Sequence, residues 1–374
     1  MAFSFALGVS NVALPLVALE AGYSLSEIGV LTAMSALAQL LVRATVPRAA
    51  RTFPDRVLIG GACCLLVVSC GLLVWSTAPV VFAAAQLAQG AGRGYFWTGS
   101  QLHAVRTSTS SRRGLARVNL VASLGLVTGP VVAGALDEKS AANALIVAAL
   151  VSLAGAAISL LMARLPLLKP SSAGTSVAVW RRKDVRATGW GSASTGAWTA
   201  LLVSFVPVIL AAEHPTLVVG LLVATANVSS TAGSVAVGWA RQRHLAPLFR
   251  AGLIAIGTGL GALPFVAGFA PLSAALLILT GLGAGALLTL SPALAVDAVE
   301  KERRADALAL TGSFRAGALL TAPLAVAGAV AVMPLSAAFA TVGAAIVVVA
   351  AKRPPSPADT RGGRQDPGDR ADVD

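Results

Sequence analysis

Apolar stretches of about 20 residues recur twelve times along this chain, and no other feature constrains its fold as much. A helix rises 1.5 Å per residue, so about 20 apolar residues cross the ~30 Å hydrocarbon core of a bilayer. The stretches are 2–20, 25–46, 57–76, 79–101, 117–136, 141–163, 188–211, 216–239, 250–269, 271–296, 307–329 and 333–351. Composition agrees: 56% of the 374 residues are hydrophobic and 12% charged, with a mean hydropathy of +0.80. A soluble domain carries about 25% charged residues, because its surface must meet water. The expected fold is an all-α integral membrane protein with twelve transmembrane helices, and the lipid bilayer is its solvent.

The net charge of +12 could suggest a nucleic-acid partner, but the placement of the charges excludes that reading. With the N-terminus in the cytoplasm, 24 of the 28 Lys and Arg residues fall on one side, in the even-numbered connections and the tail. Arg48, Arg51 and Arg56 follow span 2, and Arg106, Arg112, Arg113 and Arg117 follow span 4. Lys139 is alone outside, while Arg43, Arg93 and Arg315 lie within spans. This is the positive-inside pattern of a multi-pass protein of the cell membrane with both termini cytoplasmic. Trp180, beside Arg181 and Arg182, reads as an interfacial anchor. Cys63, Cys64 and Cys70 share one apolar run and read as small buried hydrophobes. No metal-ligand cluster and no cofactor is expected.

The chain divides into a half at 1–163, a cytoplasmic linker at 164–187 containing KPSSAGTS, a second half at 188–351 and a disordered cytoplasmic tail at 352–374. Span 1 begins at Met1 without a basic leader, which reads as a true first helix shortened by a late start. The halves resemble each other. Pro15 and Glu20 match Pro207 and Glu213; Ala78-Pro79 match Ala270-Pro271; Arg112-Arg113 match Arg303-Arg304; Pro130 matches Pro323. A six-span unit repeated in the same orientation is a parallel repeat.

Polar residues within the spans are unevenly spread. Spans 3, 6, 9 and 12 are nearly featureless, whereas the other eight hold Asn11, Gln39, Gln86, Gln89, Arg93, Asn119, Trp198, Asn227 and Arg315, among others. Intramembrane polar groups face a bundle interior or a wet cavity. Eight helices are therefore expected to line a central cavity, with every third helix against lipid. Asn11, Gln86, Gln89, Arg93, Trp198, Asn227 and Arg315 are the candidate substrate-binding residues.

Three pieces of sequence carry a family likeness. Ser26-Glu27-Ile28-Gly29 opens span 2, Gln89-Gly90-Ala91-Gly92 runs into Tyr95-Phe96-Trp97 in span 4, and span 5 holds Gly125-x3-Gly129-Pro130-x2-Ala133-Gly134. With these the chain resembles the major facilitator superfamily over essentially its whole length, and the span 5 run resembles the helix 5 motif of its export-type members. Glycines four apart also suit any tight membrane-helix packing. The likeness implies a monomeric secondary transporter with two six-helix pseudo-repeats around a central cavity. It departs in the 2–3 connection, where Pro47-Arg48-Ala49-Ala50-Arg51-Thr52-Phe53-Pro54-Asp55-Arg56 puts Arg51 in the family's acidic slot. Arg56 survives there, and Asp55 stands in from a shifted position. It departs again in span 4, where the family's Arg is Gln86 and Arg93 lies two turns further on.

The function expected from this reading is efflux of a small amphipathic or apolar molecule by rocker-switch alternating access, with protons as a possible second partner. Import of a small nutrient and a non-transporting receptor role remain alternatives. An enzyme is set aside, since no paired acidic metal site, HExxH or Ser/His constellation falls in a span. Glu20 is the candidate coupling carboxylate, because no Asp or Glu lies deep in a span. Arg93 reads as a cavity charge that binds an anionic or electron-rich substrate or couples to a carboxylate. Its alternative is a cation that snorkels to the inner surface.

Overall fold

A computed structural model of the chain describes residues 1–107, 111–137, 141–163, 165, 183–299 and 304–351. Trp180, Lys139, most of the central linker and the tail lie outside these residues. Twelve α-helices make up the described chain: α1 (Ala2–Glu20), α2 (Leu25–Thr52), α3 (Asp55–Trp75), α4 (Pro79–Thr107), α5 (Ser111–Asp137), α6 (Ala141–Ser159), α7 (Lys183–Ala211), α8 (Thr216–Gly238), α9 (Leu245–Val266), α10 (Ala270–Asp297), α11 (Arg304–Ala329) and α12 (Leu335–Ala351). Among the described residues nine of them are long and apolar enough to cross a membrane, and α5 and α12 hold shorter apolar segments. The helix α4 is not among the nine, because Gln86, Gln89 and Arg93 lower its hydropathy.

Several helices outrun the apolar stretches that announce them. The helix α2 continues to Thr52 rather than 46, α4 to Thr107 rather than 101, and α7 starts at Lys183 rather than 188. Hydropathy ends where charge begins, but backbone hydrogen bonding carries on into the polar turns. Arg48 and Arg51 therefore sit in the last turns of α2 rather than in a loop, and Lys183 and Arg186 belong to α7 rather than to the linker. Proline ends α2: Phe53, next to Pro54, is extended at φ −118° and ψ 138°. Ser24 starts it with a capping box. Its Oγ accepts from Glu27 N–H (3.3 Å), and its own N–H donates to Glu27 Oε2 (2.8 Å). Between α1 and α2 the chain turns at Gly22, whose φ of 83° suits glycine.

The same pairings recur with helix numbers shifted by six. Helix α1 packs on α5 and α7 on α11; α2 on α4 and α8 on α10; α3 on α4 and α6, and α9 on α10 and α12. One contact repeats residue for residue. A Cβ at Gly90 of α4 would strike the Ser35 carbonyl of α2, and a Cβ at Gly285 of α10 would strike the Ser230 carbonyl of α8. Both members of that pair are 195 residues apart, close to the spacing of the sequence matches. Between the halves α2 meets α11, α5 meets α8 and α1 meets α7.

Helices α1 and α7 form the centre, with 78% and 83% of their apolar windows buried, against 28% for α6. The outward face of α6 shows Leu150, Leu153 and Ile158, as expected of a lipid-facing helix. Exposure does not pick out every third helix, however. The windows of α2 and α11 are 39% and 33% buried, less than the 44% of α3 and α9. Trp75 and Trp239 stand exposed at the ends of α3 and α8, where aromatic rings meet the bilayer interface.

Candidate functional site

In α4, Gln86, Gln89 and Arg93 follow one another at i, i+3 and i+7, a spacing that stacks side chains along one helix face. That face looks into a cavity shared with α1 and α2, with Val203 of α7 completing its wall. The non-atom space there, open solvent at its mouth included, is about 350 Å³. Glycines of α4 bring it close to its neighbours. Gly94, beside Arg93, faces α2, where a Cβ would come within 2.8 Å of Val42 Cγ1. Gly92 faces α3, where a Cβ would lie 3.0 Å from the Ala62 carbonyl oxygen. The glycines on either side of Arg93 thus let α2 and α3 approach α4 closely.

Arg93 is half-buried, and its Nη2 donates to Asn11 Oδ1 of α1 at 2.5 Å. The cavity otherwise carries unmet polarity. Ser35 Oγ, Gln86 Oε1, Gln89 Nε2 and Arg93 Nε are all buried without a hydrogen-bond partner. Ser10 and Thr32 turn back on their own helices, donating to Ala6 O and Ile28 O. Toward the α1–α2 connection the wall is apolar, built from Leu14, Pro15, Ile28, Leu31 and Phe82. Of the seven substrate-binding candidates from sequence, Asn11, Gln86, Gln89 and Arg93 meet here. Trp198 is buried in the core of α7 at 5% exposure, and Asn227 Nδ2 donates to its own helix at Val223 O (3.0 Å). Arg315 is partly buried on α11 and is not part of this wall. Ser10, Thr32 and Ser35 line the cavity without having been singled out, since helical serines and threonines look alike everywhere in a sequence whether or not they bond their own backbone.

The glycine-proline run of α5 divides its contacts between two helices. Gly125 and Gly129 face α1: Cβ atoms there would meet Phe5 N and Phe5 O, each at 2.5 Å. The Pro130 carbonyl and Gly134 face α8 of the other half. A Cβ at Gly220 would strike Pro130 O, one at Gly134 would strike Thr216 O, and Thr216 Oγ1 donates to Gly134 O at 3.1 Å. The start of α2 does the same against α11. Ser26 Oγ donates to Ala327 O at 2.8 Å, and a Cβ at Gly29 would be 2.7 Å from Ala327 Cβ. Both seams lie at the end of the bundle that carries the α1–α2 and α7–α8 connections.

At the other end, Asp55 is buried in the first turn of α3, with its Oδ2 3.6 Å from His103 Nδ1 of α4. Arg56 Nη1 donates to Leu160 O at 3.3 Å. The side chain of Arg51 lies outside the described residues. Glu20 is exposed at the end of α1, away from the cavity wall, and Glu27 is held in the α2 cap. Among the described residues no cluster of three His, Cys, Asp or Glu could hold a metal ion.

Comparison with known proteins matches residues 1–212 to the Major Facilitator Superfamily. No curated protein sequence matches the chain. Solved structures do. A mutant of the nucleoside transporter NupG superimposes with a TM-score of 0.80 at 13% identity, covering 93% of this chain and 96% of that one. A POT family transporter in complex with a thioalcohol-conjugated peptide gives 0.73 at 11%, covering 94% and 93%. A bacterial homologue of the human lysosomal transporter Spinster, inward-facing and unoccupied, gives 0.68 at 13%, again covering 94% and 93%. At such identities the likeness is one of fold.

Proposed function

The chain belongs to the major facilitator superfamily, and from that premise we propose that it exports a small amphipathic or apolar molecule across the cell membrane by rocker-switch alternating access. Members of this family are membrane transporters rather than enzymes. The observation that carries the reading is the pair of inter-half seams, α2 on α11 and α5 on α8, at one end of a cavity of mixed polarity. In this reading twelve spans form two six-helix pseudo-repeats, supported by the recurring pairings and the Gly90–Ser35 and Gly285–Ser230 contacts. The halves are 1–163 and, with α7 beginning at Lys183, 183–351, joined through a cytoplasmic linker. Both termini face the cytoplasm, supported by the side on which the basic residues gather. The seams then form the outer gate, and the glycines of α5 and α8 permit its closure.

Import of a small polar nutrient is a second reading, favoured by the four unpartnered polar atoms of the cavity. One preparation separates the two. Inside-out vesicles should accumulate members of a panel of amphipathic compounds against a gradient, and a protonophore should abolish accumulation if protons drive it. The same vesicles should expose a Ser171→Cys thiol to an impermeant reagent that intact cells exclude. Accumulation only in right-side-out vesicles overturns the direction, and labelling of Ser171→Cys in intact cells overturns the orientation.

A further inference from the structure

The cavity is strongly asymmetric in charge. Its wall contains one cation, Arg93, and no carboxylate. No acidic side chain lies within ion-pairing distance of Arg93 among the described residues. A guanidinium carries five N–H donors, and the hydrogen bond to Asn11 Oδ1 uses one of them. Its Nε is buried and unpartnered. An arginine near mid-bilayer without a counter-charge is costly, by roughly 2.5–3.5 kcal/mol on insertion scales. Apart from the Asn11 hydrogen bond, the protein leaves that cost unmet in the wall of this cavity.

The neighbouring polar atoms define what would compensate it. Gln89 Nε2 offers a second unused donor, and Ser35 Oγ a hydroxyl, from α4 and α2. Both side chains are only 2% exposed, so bulk water does not satisfy them. Gln86 Oε1 is a single unused acceptor, at 5% exposure for the residue. Gln86 lies two turns from Arg93, roughly 10 Å along the helix. The set therefore clusters donors around a cation at the end of the site away from the seams and places one acceptor nearer to them. Toward the seams the wall turns apolar through Leu14, Pro15, Ile28 and Phe82.

Resting on the transporter reading above, we infer that the substrate is a small organic monoanion, a carboxylate or its equivalent, on an apolar body. Its oxygens take the guanidinium of Arg93 and the donors of Gln89 and Ser35, and its body lies against Phe82, Pro15 and Ile28. A donor group on that body, where one exists, pairs with Gln86. The planar fork of arginine matches two carboxylate oxygens at once, and one uncompensated positive charge selects a single negative one.

The test uses the full-length protein in detergent and in proteoliposomes. Ligands come in matched trios that share a phenyl or hexyl body and differ only in carrying a carboxylate, a carboxamide or an ammonium group. The carboxylates should raise the melting temperature and bind at least tenfold more tightly than the amides, while the ammonium compounds should not bind. Arg93→Gln should weaken carboxylate binding about 10- to 100-fold, the span expected for charge-assisted hydrogen bonds. Gln89→Glu keeps the size of the side chain and the arginine, but sets a carboxylate one turn from Arg93, where i, i+4 pairing occurs. It should lose the preference for anions while the fold, read by the melting curve, is retained. Equal or tighter binding of the amides, no carboxylate binding at millimolar concentration, or undiminished carboxylate binding in Gln89→Glu overturns the assignment. Transport is read separately. Arg93-dependent carboxylate binding without movement into proteoliposomes refutes the transporter reading and leaves this site standing. Movement of amides in preference to carboxylates refutes the anion and leaves the transporter standing.

Discussion

Replacing Gly129 by Leu is expected to reduce transport to below about one-tenth of the unmodified protein while the chain still inserts into the membrane. A Cβ at this position would lie 2.5 Å from Phe5 O, 2.7 Å from Val9 N and 2.8 Å from Gly8 C. All three are backbone atoms of α1, so no side-chain rotation relieves the clash. Gly8 reciprocates, facing Gly125 O and Pro130 Cδ, each at 3.0 Å from where its own Cβ would be. The helix α1 is also 78% buried along its apolar window, so it cannot shift without disturbing its other partners. Overpacking of this kind costs about 1–3 kcal/mol. The functional loss follows because Asn11, one turn beyond Gly8, travels with α1 and leaves Arg93. Transport assayed in proteoliposomes at matched protein amount, alongside melting curves, checks both parts. Normal transport in a normally stable Gly129→Leu protein would show that close α1–α5 packing is dispensable.

Arg93→Ala should abolish transport at normal membrane abundance, and Arg93→Lys should keep a fraction of it with altered substrate preference. Alanine removes the one cation that the described residues put in the cavity wall and leaves Asn11 Oδ1 without its donor. An acceptor buried without its partner costs about 1–3 kcal/mol, which a folded protein of this size tolerates. The main loss is therefore of binding rather than of structure. Lysine keeps the charge but not the planar fork, and its ammonium cannot serve Asn11 and two ligand oxygens with the same geometry. Abundance by immunoblot, melting temperature and transport rate together separate these effects. A fully folded and fully active Arg93→Ala protein would remove Arg93 from the mechanism and turn attention to Asn227 and Arg315.

The helices and one wall of the site were legible in the sequence for a simple reason: both depend on local pattern. Apolar runs announced the helices, and the i, i+3, i+7 spacing of Gln86, Gln89 and Arg93 put them on one face. The position of Asn11 was legible only as an unusual polar residue, and its pairing with Arg93 needed α1 and α4 side by side. The glycines of the span 5 run were legible as close-packing sites. The sequence could not say that Gly125 and Gly129 serve α1 while Gly134 serves α8, because that depends on which helices flank α5. Ser26 and Gly29 were noted as a motif, and their contact with Ala327 spans 301 residues or nearly so. His103 gave no signal in sequence, since its relation to Asp55 is again between helices. Helix ends were the least legible, because hydropathy stops at the bilayer edge and hydrogen bonding does not.

The central claim is that the α2–α11 seam must open and close in each transport cycle. Its most direct test is a disulfide across that seam between Ser26→Cys and Ala327→Cys, positions already joined by the 2.8 Å hydrogen bond from Ser26 Oγ to Ala327 O. The background should replace Cys63, Cys64 and Cys70, and the two single-cysteine proteins serve as controls. Oxidation should crosslink the pair and stop transport, reduction should restore it, and the controls should be unaffected. Undiminished transport by quantitatively crosslinked protein would contradict alternating access through this seam.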